Sequence, residues 1–259
     1  MQKLDLTYYH FGDDVVAFSS TRHGGYSIGN YSDFNINPYS GDDTTHIKAN
    51  RELLCSLLHI PDSRLILPHQ THGIVCRQIT QSFLDSPSEL RDALLNQVDA
   101  VMTNLKNVCV GVSTADCIPV LLYDSHRKAV CAIHAGWRGT LNRIVQHCIL
   151  EFTRAYSVKV SDIRAVIGPG ISLQNFEVGQ EVFDQFRLAG FDMSKIAKKY
   201  TKWHLDLSEC NRIQLIESGL LPDNIHLSGI CTYQEVKHYF SARRLGILSG
   251  RIYTALMLR

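Results

Sequence analysis

Residues 111–140, GVSTADCIPVLLYDSHRKAVCAIHAGWRGT, contain two strongly apolar runs that predict neighbouring strands. The runs cover residues 118–123 and 129–133, and the segment DSH that follows the first run has the composition of a turn. Cys117 stands just before the first run, and His134 stands just after the second. If the two strands fold back on each other, the thiol and the imidazole lie at the same end of a sheet.

A third metal-capable side chain lies upstream, in the segment PHQTHG at residues 68–73. We rank His72 above His69 as the ligand, because the flanking Pro and Gly favour an irregular loop over a helical turn that presents both imidazoles. One Cys with two His and no obvious fourth ligand is the composition of a catalytic zinc site with an open position. His126, in the predicted hairpin turn, is expected to be solvated.

The spacing of His72, Cys117 and His134 matches no regular metal-binding motif, so a buried thiol beside two ordinary turn histidines stays an alternative interpretation. Two features favour the metal site. Each residue lies at a junction of a predicted strand and a turn, where functional sites are usually built. Each also has small neighbours that permit close approach, and these are Gly73, Ala115, Ala135 and Gly136.

The candidate catalytic residues are Cys117, Asp116 and Arg22. Asp116 is next to the thiol, where it could accept a hydrogen bond from a metal ligand or carry a proton. Asp99 and Asp206 are further candidates for proton transfer, and the sequence alone does not choose among the three carboxyl groups.

Arginines beside Gly or Ser in predicted turns suggest an anion-binding pocket, because a guanidinium fork suits phosphate or carboxylate. Arg22, Arg138 and Arg243 are the candidate substrate-binding residues, and Arg244 shares the pattern. Any surface arginine near a turn has the same appearance, so an ordinary surface role stays open for each of them. Trp137 could stack on a flat ring or anchor the core.

The rest of the chain predicts short strands and helices in an irregular order. Helices are predicted at Thr44–Leu58, where two acidic residues stand at the start, and at residues 141–156. A short strand is predicted at residues 34–36 inside a long polar loop. Because strands and helices do not alternate and no linker is visible, we expect an α+β fold. It would be a single domain over residues 1–259, with mixed β-sheets flanked by helices.

The composition bounds the class of protein. A formal net charge of +1 leaves no basic excess to neutralise phosphates, so we expect no nucleic-acid partner. No apolar run approaches the roughly 20 residues that cross a bilayer, and the first residues lack the pattern of a signal peptide. Most of the 8 cysteines lie in apolar runs, which indicates reduced core residues. We therefore expect a cytoplasmic protein without membrane association, and the oligomeric state stays open.

A set of motifs spread over nearly the whole chain is shared with one protein family. The motifs are TRHGGYS (21–27), QTHG (70–73), TADCIPVLLYD (114–124), HAGWRGT (134–140), IGPGIS with FEVGQEV (167–182), HLDL (204–207), CTY (231–233) and FSARR with a final GR (240–251). In these motifs the chain resembles the YfiH-type family, also called DUF152 or the laccase-domain-containing polyphenol oxidase family. The pairing of TADC with HAGWRGT is highly specific.

The resemblance implies a YfiH-like fold and a metal site formed by His72, Cys117 and His134. The metal implied is most often zinc, with copper as the alternative. The resemblance also implies a purine nucleoside phosphorylase, which converts adenosine, inosine or methylthioadenosine and phosphate to the base and ribose 1-phosphate. Deamination of adenosine at the same site is implied as well, so purine nucleosides and phosphate are the expected partners.

The chain departs from the family pattern at four positions, of which Thr71 in QTHG, where Val is usual, is a harmless change on the face of it. Gly170 stands where Cys or Ser is common, and Ala242 and Leu245 replace the Tyr and Asp of the usual SYRRDG, so the substrate preference stays open.

Four other functions are weighed, and one of them, a non-enzymatic assembly partner, would leave an open metal site without a purpose. A copper polyphenol oxidase is disfavoured, because none of the 12 histidines forms the HxH pair typical of a trinuclear copper cluster. A metal-free hydrolase would use Cys117 as nucleophile and His134 as base. A peptidoglycan-editing role is neither favoured nor excluded by the sequence.

Overall fold

The structure, a computed structural model, describes residues 3–259. Within these residues the chain forms fourteen β-strands and nine α-helices. The strands are β1 (Leu6–Tyr9), β2 (Val15–Ser20), β3 (Leu65–Ile66), β4 (Cys76–Gln78), β5 (Ala100–Thr103), β6 (Cys109–Thr114), β7 (Ile118–Asp124), β8 (Ala129–Ala135), β9 (Arg164–Ile167), β10 (Glu177–Val178), β11 (Ala197–Lys199), β12 (Trp203–Leu205), β13 (Ile225–Leu227) and β14 (Ile252–Leu258). The helices are α1 (Thr44–Leu58), α2 (Gln81–Leu84), α3 (Ser88–Leu94), α4 (Trp137–Leu141), α5 (Ile144–Tyr156), α6 (Gln180–Leu188), α7 (Met193–Ile196), α8 (Leu207–Glu217) and α9 (Ala242–Leu245). In this part of the chain, no helix has the length and apolar character that crossing a membrane requires.

The strands form two large sheets and one small sheet. The five-stranded sheet has the order β1-β2-β14-β6-β3, the six-stranded sheet has the order β13-β9-β7-β8-β5-β4, and the small sheet has the order β10-β12-β11. The pairs β3–β6, β4–β5 and β9–β13 are parallel, and the other named pairs are antiparallel. These mixed sheets flanked by helices confirm the predicted α+β class. That residues 1–259 form a single domain stays a prediction.

The central strands are apolar on both faces because each large sheet is covered on both sides. Every residue of β6, β7, β8 and β14 is buried. Leu256 of β14 shares the core between the two large sheets with Leu121 of β7 and Ala132 of β8. The outer face of the five-stranded sheet packs against α1, and that of the six-stranded sheet packs against α5 and α8. The layers therefore run helix, sheet, sheet, helix.

The predicted helix Thr44–Leu58 is confirmed at both ends. At its start, Oδ1 of Asp43 accepts a hydrogen bond from the main-chain N–H of Thr45 at 2.7 Å, which satisfies one of the free donors of the first turn. The helix ends at Leu58, because the next residue, His59, has a φ of 57° and leaves the right-handed helical region. Between these ends, Leu54 is fully buried against the five-stranded sheet.

The predicted strand at residues 34–36 is wrong. Phe34 and Ile36 are buried, as their apolar side chains suggest, but the segment joins no sheet. The side-chain amide of Asn50 in α1 donates to the main-chain carbonyl of Asn35 at 2.9 Å. A side chain therefore supplies a partner that a neighbouring strand would otherwise provide.

The predicted helix at residues 141–156 is shorter than expected. Helix α4 ends at Leu141, and α5 begins only at Ile144. Arg143 between them has a φ of 60°, in the left-handed region, which interrupts a right-handed helix.

Candidate metal centre

His72, Cys117 and His134, which are distant in the sequence, converge in space. Their ligand atoms all lie within 4.8 Å of one another, and Cys117 Sγ is 3.7 Å from His72 Nε2. Zinc bonds of about 2.1 Å to nitrogen and about 2.3 Å to sulfur, at a tetrahedral angle, place the two atoms about 3.6 Å apart. The geometry therefore fits one ion held by three protein ligands.

The β7–β8 hairpin brings Cys117 and His134 together, as the sequence predicts. Cys117 directly precedes β7, and Pro119 of β7 lies opposite His134 of β8. Because the strands are antiparallel, the start of one meets the end of the other. His134 is buried, Cys117 is half-buried and His72 is exposed, so the cluster is open to solvent on the His72 side.

The loop that carries His72 is fixed to the five-stranded sheet through Gln70. The Gln70 amide donates to the carbonyl of Ser113 at 2.8 Å and accepts from its N–H at 2.7 Å. These two bonds extend the parallel pairing of β3 with β6. His69 has a different environment, since its ring stacks on Tyr39 with the centroids 4.3 Å apart. The geometry therefore agrees with ranking His72 above His69.

Asp99 is the buried anchor of both histidines. Its Oδ1 accepts from Nδ1 of His134 at 2.8 Å and from the main-chain N–H of His72 at 2.9 Å. Its Oδ2 accepts from the N–H groups of Gly73 at 2.7 Å and Thr71 at 3.2 Å. Because Nδ1 of His134 is occupied by Asp99, Nε2 is the nitrogen left for a metal. A residue considered only for proton transfer is thus the hydrogen-bond partner that orients the cluster.

Charges within the cluster favour a thiolate beside a protonated imidazole. Burial raises the pKa of Cys117, but the charge of His134 and hydrogen bonds from both histidines outweigh it and lower the pKa to about 6. Burial lowers the pKa of His134, but the Cys117 charge and the Asp99 hydrogen bond raise it to about 9. A divalent cation that replaces the His134 proton finds both side chains in their metal-binding forms.

Gly136 lies against the cluster at a position where a side chain does not fit. A β-carbon there would come within 2.6 Å of His72 Cδ2 and 3.1 Å of Cys117 Sγ. Real β-carbons essentially never approach a heavy atom closer than 3.0 Å, so the His72 ring would have to move.

We expect Gly136→Ala to weaken metal binding by about tenfold or more, because it displaces one ligand. Competition with a chelating indicator measures the change. Gly190→Ala is the control: its added β-carbon meets no atom within 4 Å, although φ is +80°. That variant should lose some stability and keep its metal affinity. An unchanged affinity in Gly136→Ala would contradict the role of His72 as a ligand.

The other two candidate carboxyl groups already accept hydrogen bonds from within the protein. Asp116 accepts bonds from the Thr232 hydroxyl and the Arg243 N–H, both at 2.7 Å. Asp206 caps α8 by accepting from the N–H of Glu209 at 2.9 Å. Burial raises the pKa of Asp206.

Arg22 is half-buried and held by main-chain carbonyls. Its Nε donates to the carbonyl of Ser32 at 2.8 Å, and its Nη1 donates to that of Val236 at 2.9 Å. The guanidinium carbon lies 4.9 Å from the centroid of the Phe240 ring. These contacts fix the side chain in place, and Nη2 takes part in neither of the two hydrogen bonds.

Arg138 and Arg243 are both exposed and lie over aromatic rings. The guanidinium carbon of Arg138 is 4.2 Å from the Trp137 ring centroid, and that of Arg243 is 5.4 Å from the Phe176 ring centroid. Arg243 also donates from Nη1 to the carbonyl of Glu177 at 3.1 Å. Trp137 is partly buried, so it contributes to the core and also to the surface.

Sequence reasoning missed Arg251 as a charged neighbour of the cluster. Its guanidinium is half-buried and donates to the carbonyls of Ser249 at 2.6 Å and Ile247 at 2.9 Å. Burial lowers the pKa of Arg251, and the negative charges of Cys117 and Asp116 act in the opposite direction. The GR that ends the last shared motif was the only signal of this residue, and it carried no assigned role.

Comparison with known proteins finds relatives over nearly the full chain. The model of the family described as "Multi-copper polyphenol oxidoreductase laccase" matches residues 16–259. A purine nucleoside phosphorylase of Bacteroides thetaiotaomicron is 43% identical over 248 residues, which are 95% of this chain and 92% of that protein. Adenosine deaminase RL5 of an unknown prokaryotic organism is 38% identical over 259 residues, which are 99% of this chain and 98% of the length of that protein. The crystal structure of the hypothetical protein YfiH of Bacillus licheniformis superposes with a TM-score of 0.91 at 28% identity, covering 98% of this chain and 96% of that one.

Proposed function

Because this chain belongs to the multi-copper polyphenol oxidoreductase laccase family, and its relatives include a purine nucleoside phosphorylase and an adenosine deaminase, we propose that it acts on purine nucleosides. The proposed main reaction is zinc-dependent phosphorolysis of adenosine, inosine or methylthioadenosine to the base and ribose 1-phosphate. Deamination of adenosine is the proposed second reaction. The observation that carries the proposal is the three-ligand cluster of His72, Cys117 and His134.

The donor set suits a zinc ion with one open position. Two imidazole nitrogens and one thiolate are ligands that zinc prefers, and catalytic zinc sites commonly have three protein ligands. Asp99 would fix the orientation of both histidines. Bound zinc would supply a Lewis acid for a water molecule or a substrate oxygen.

The chain's own residues would divide the remaining tasks. Cys117 would bind the metal as thiolate, so it would not also serve as a free nucleophile. Phosphorolysis requires an anion pocket that places phosphate against the ribose. Arg22, Arg138 and Arg243 are the proposed residues of that pocket, since a guanidinium binds phosphate through two parallel hydrogen bonds.

A copper-dependent polyphenol oxidase is the second candidate, and the description of the family favours it. The same donors also bind copper. Within residues 3–259, however, one group of three metal-capable side chains is found, whereas a multicopper oxidase needs several copper ions. Stoichiometric copper together with oxidation of a phenol would support this candidate.

A metal-free hydrolase is the third candidate, and the side-by-side arrangement of Asp99, His134 and Cys117 favours it. A carboxylate that orients an imidazole beside a thiolate is the arrangement of a cysteine nucleophile with its base. Activity that survives chelation would support this candidate over the zinc enzyme. A peptidoglycan-editing role would be supported by hydrolysis of a cell-wall precursor.

One experiment tests the main proposal. Metal content is measured on the purified protein, and release of hypoxanthine from inosine is followed with and without phosphate, before and after chelation. We expect about one zinc per chain and purine release that requires both zinc and phosphate. Absence of any purine release with zinc and phosphate supplied would eliminate the proposal.

A further inference from the structure

Asp116 directly precedes Cys117 in the chain and is hydrogen-bonded to the segment 241–245, which contains Arg243 and Arg244. Its Oδ1 accepts from the hydroxyl of Thr232 at 2.7 Å, and its Oδ2 accepts from the main-chain N–H of Arg243 at 2.7 Å. Its own carbonyl accepts from the N–H of Ile171 at 2.9 Å. Three distant segments therefore meet at the residue that directly precedes Cys117.

Helix α9 takes its N-terminal cap from Asp116 instead of from its own N-cap residue. Ser241 occupies the N-cap position, yet its buried hydroxyl has no hydrogen-bond partner within residues 3–259. Arg243 is the second residue of α9, and the N–H at this position is one that an N-cap side chain usually satisfies. Asp116 satisfies it from across the fold, so the position of α9 depends on this carboxylate.

The conformation of Asp116 suits a fixed hydrogen-bond acceptor. Its φ of 89° is adopted by few residues other than Gly, Asn and Asp. The residue is 9% exposed, and both carboxylate oxygens already accept a bond. A carboxylate that is buried and bonded on both oxygens is poorly placed to exchange protons with a substrate.

We infer that Asp116 is a positioning residue, which sets the place of Arg243 relative to the metal-ligating Cys117. The inference rests on the proposed function, in which Arg243 binds phosphate. Nη1 of Arg243 is bonded to Glu177, while Nε and Nη2 make no hydrogen bond in the part of the chain that the structure describes. These two nitrogens are therefore available to an oxyanion.

The two proposed reactions respond differently to a displaced Arg243. Phosphorolysis requires phosphate at a fixed place beside the ribose, whereas deamination uses no phosphate. Loss of the Asp116 tether therefore raises the KM for phosphate and leaves deamination unaffected. A residue that carries protons would affect the kcat of both reactions.

Two substitutions at Asp116 separate these roles. Asp116→Gly removes the carboxylate without straining the backbone, because Gly adopts positive φ freely. It should raise the KM for phosphate by about tenfold or more, while zinc content and the kcat for deamination stay within about threefold. Asp116→Asn keeps both bonds, since its amide oxygen accepts from Arg243 and its amide N–H donates to the Thr232 oxygen. It should match the unsubstituted protein in both reactions and in its pH profile.

A control and a second readout complete the test. Thr232→Val removes one donor to Asp116 with little change in shape and leaves the bond to Arg243, so the KM for phosphate should stay within about threefold. Amide hydrogen exchange across residues 241–245 reports the tether without any catalysis. Exchange should be faster in Asp116→Gly and unchanged in Asp116→Asn.

Two results overturn the inference. One is loss of kcat in both reactions with a changed pH profile in Asp116→Asn, which indicates proton transfer. The other is an unchanged KM for phosphate in Asp116→Gly. If the unsubstituted protein releases no purine, the proposed function fails. Amide hydrogen exchange across residues 241–245 is then the only test of whether Asp116 holds α9 in place. Faster exchange in Asp116→Gly supports the tether, and unchanged exchange overturns it.

Discussion

Replacing Cys117 by serine should remove the bound metal and the purine chemistry together. Bound zinc is expected to fall from about one per chain to below about 0.1, and purine release to fall by about a thousandfold or more. Both losses are expected because the substitution replaces a negatively charged ligand with a neutral one. The pKa of Cys117 is lowered to about 6, so the residue offers a thiolate at neutral pH, whereas a serine hydroxyl remains protonated. Metal analysis and the phosphate-dependent assay, made on the same sample, measure both losses.

Cys231→Ser is the matched control for this substitution. Cys231 is buried, whereas Cys117 is half-buried, and the Cys231 sulfur accepts hydrogen bonds from the main-chain N–H of Ser172 and the amide of Asn175, each at 3.4 Å. A serine oxygen can accept the same bonds, so this variant should keep its zinc and its activity. Full zinc content in Cys117→Ser would contradict the proposed ligand set. Loss of activity with retained zinc would instead point to Cys117 as a nucleophile.

The convergence of Cys117 and His134 could be predicted from sequence because it depends on local pairing. Two apolar runs joined by a short turn form an antiparallel hairpin, and a hairpin fixes which residues lie opposite each other. The same is true of helix α1, whose limits follow from a cap and from apolar spacing. Local patterns of this kind were sufficient for the elements that carry two of the three ligands.

The place of His72 could not be derived in this way. Its loop is fixed by the two bonds between Gln70 and Ser113, and Ser113 lies in a strand far along the chain. No pattern near the histidine records that contact. The resemblance to the YfiH-type family implied His72, and the geometry of the cluster agrees with it.

The partners of the arginines were also beyond sequence reasoning. Arg22 donates to Ser32 and Val236, and the main chain of Arg243 bonds to Asp116. The contacts with Val236 and Asp116 join segments that are remote in sequence, and a main-chain donor or acceptor leaves no trace in residue type. A turn arginine that binds an anion and one that holds a loop therefore have the same sequence pattern.

Asp99→Asn should weaken zinc binding although all three ligands, His72, Cys117 and His134, are still present. We expect zinc affinity to fall by about 10- to 100-fold, because residues that orient ligating histidines typically contribute this much. The carboxylate accepts four N–H groups, from Thr71, His72, Gly73 and His134. An amide has one oxygen, and its NH2 group would face donors, so the metal-free protein should also lose about 2–4 kcal/mol of stability.

Asp124→Asn is the control that shows whether the loss of affinity is specific to the cluster. Asp124 is as buried as Asp99 and also accepts a main-chain N–H, that of Arg127 at 2.6 Å, but it lies at the far end of β7. It should lower the free energy of unfolding and leave zinc affinity unchanged. Chelator competition and denaturant unfolding of the metal-free protein measure the two quantities separately. If Asp99→Asn binds zinc as tightly as the unsubstituted protein, the orientation of the histidines does not depend on Asp99, and the cluster is held by its strands alone.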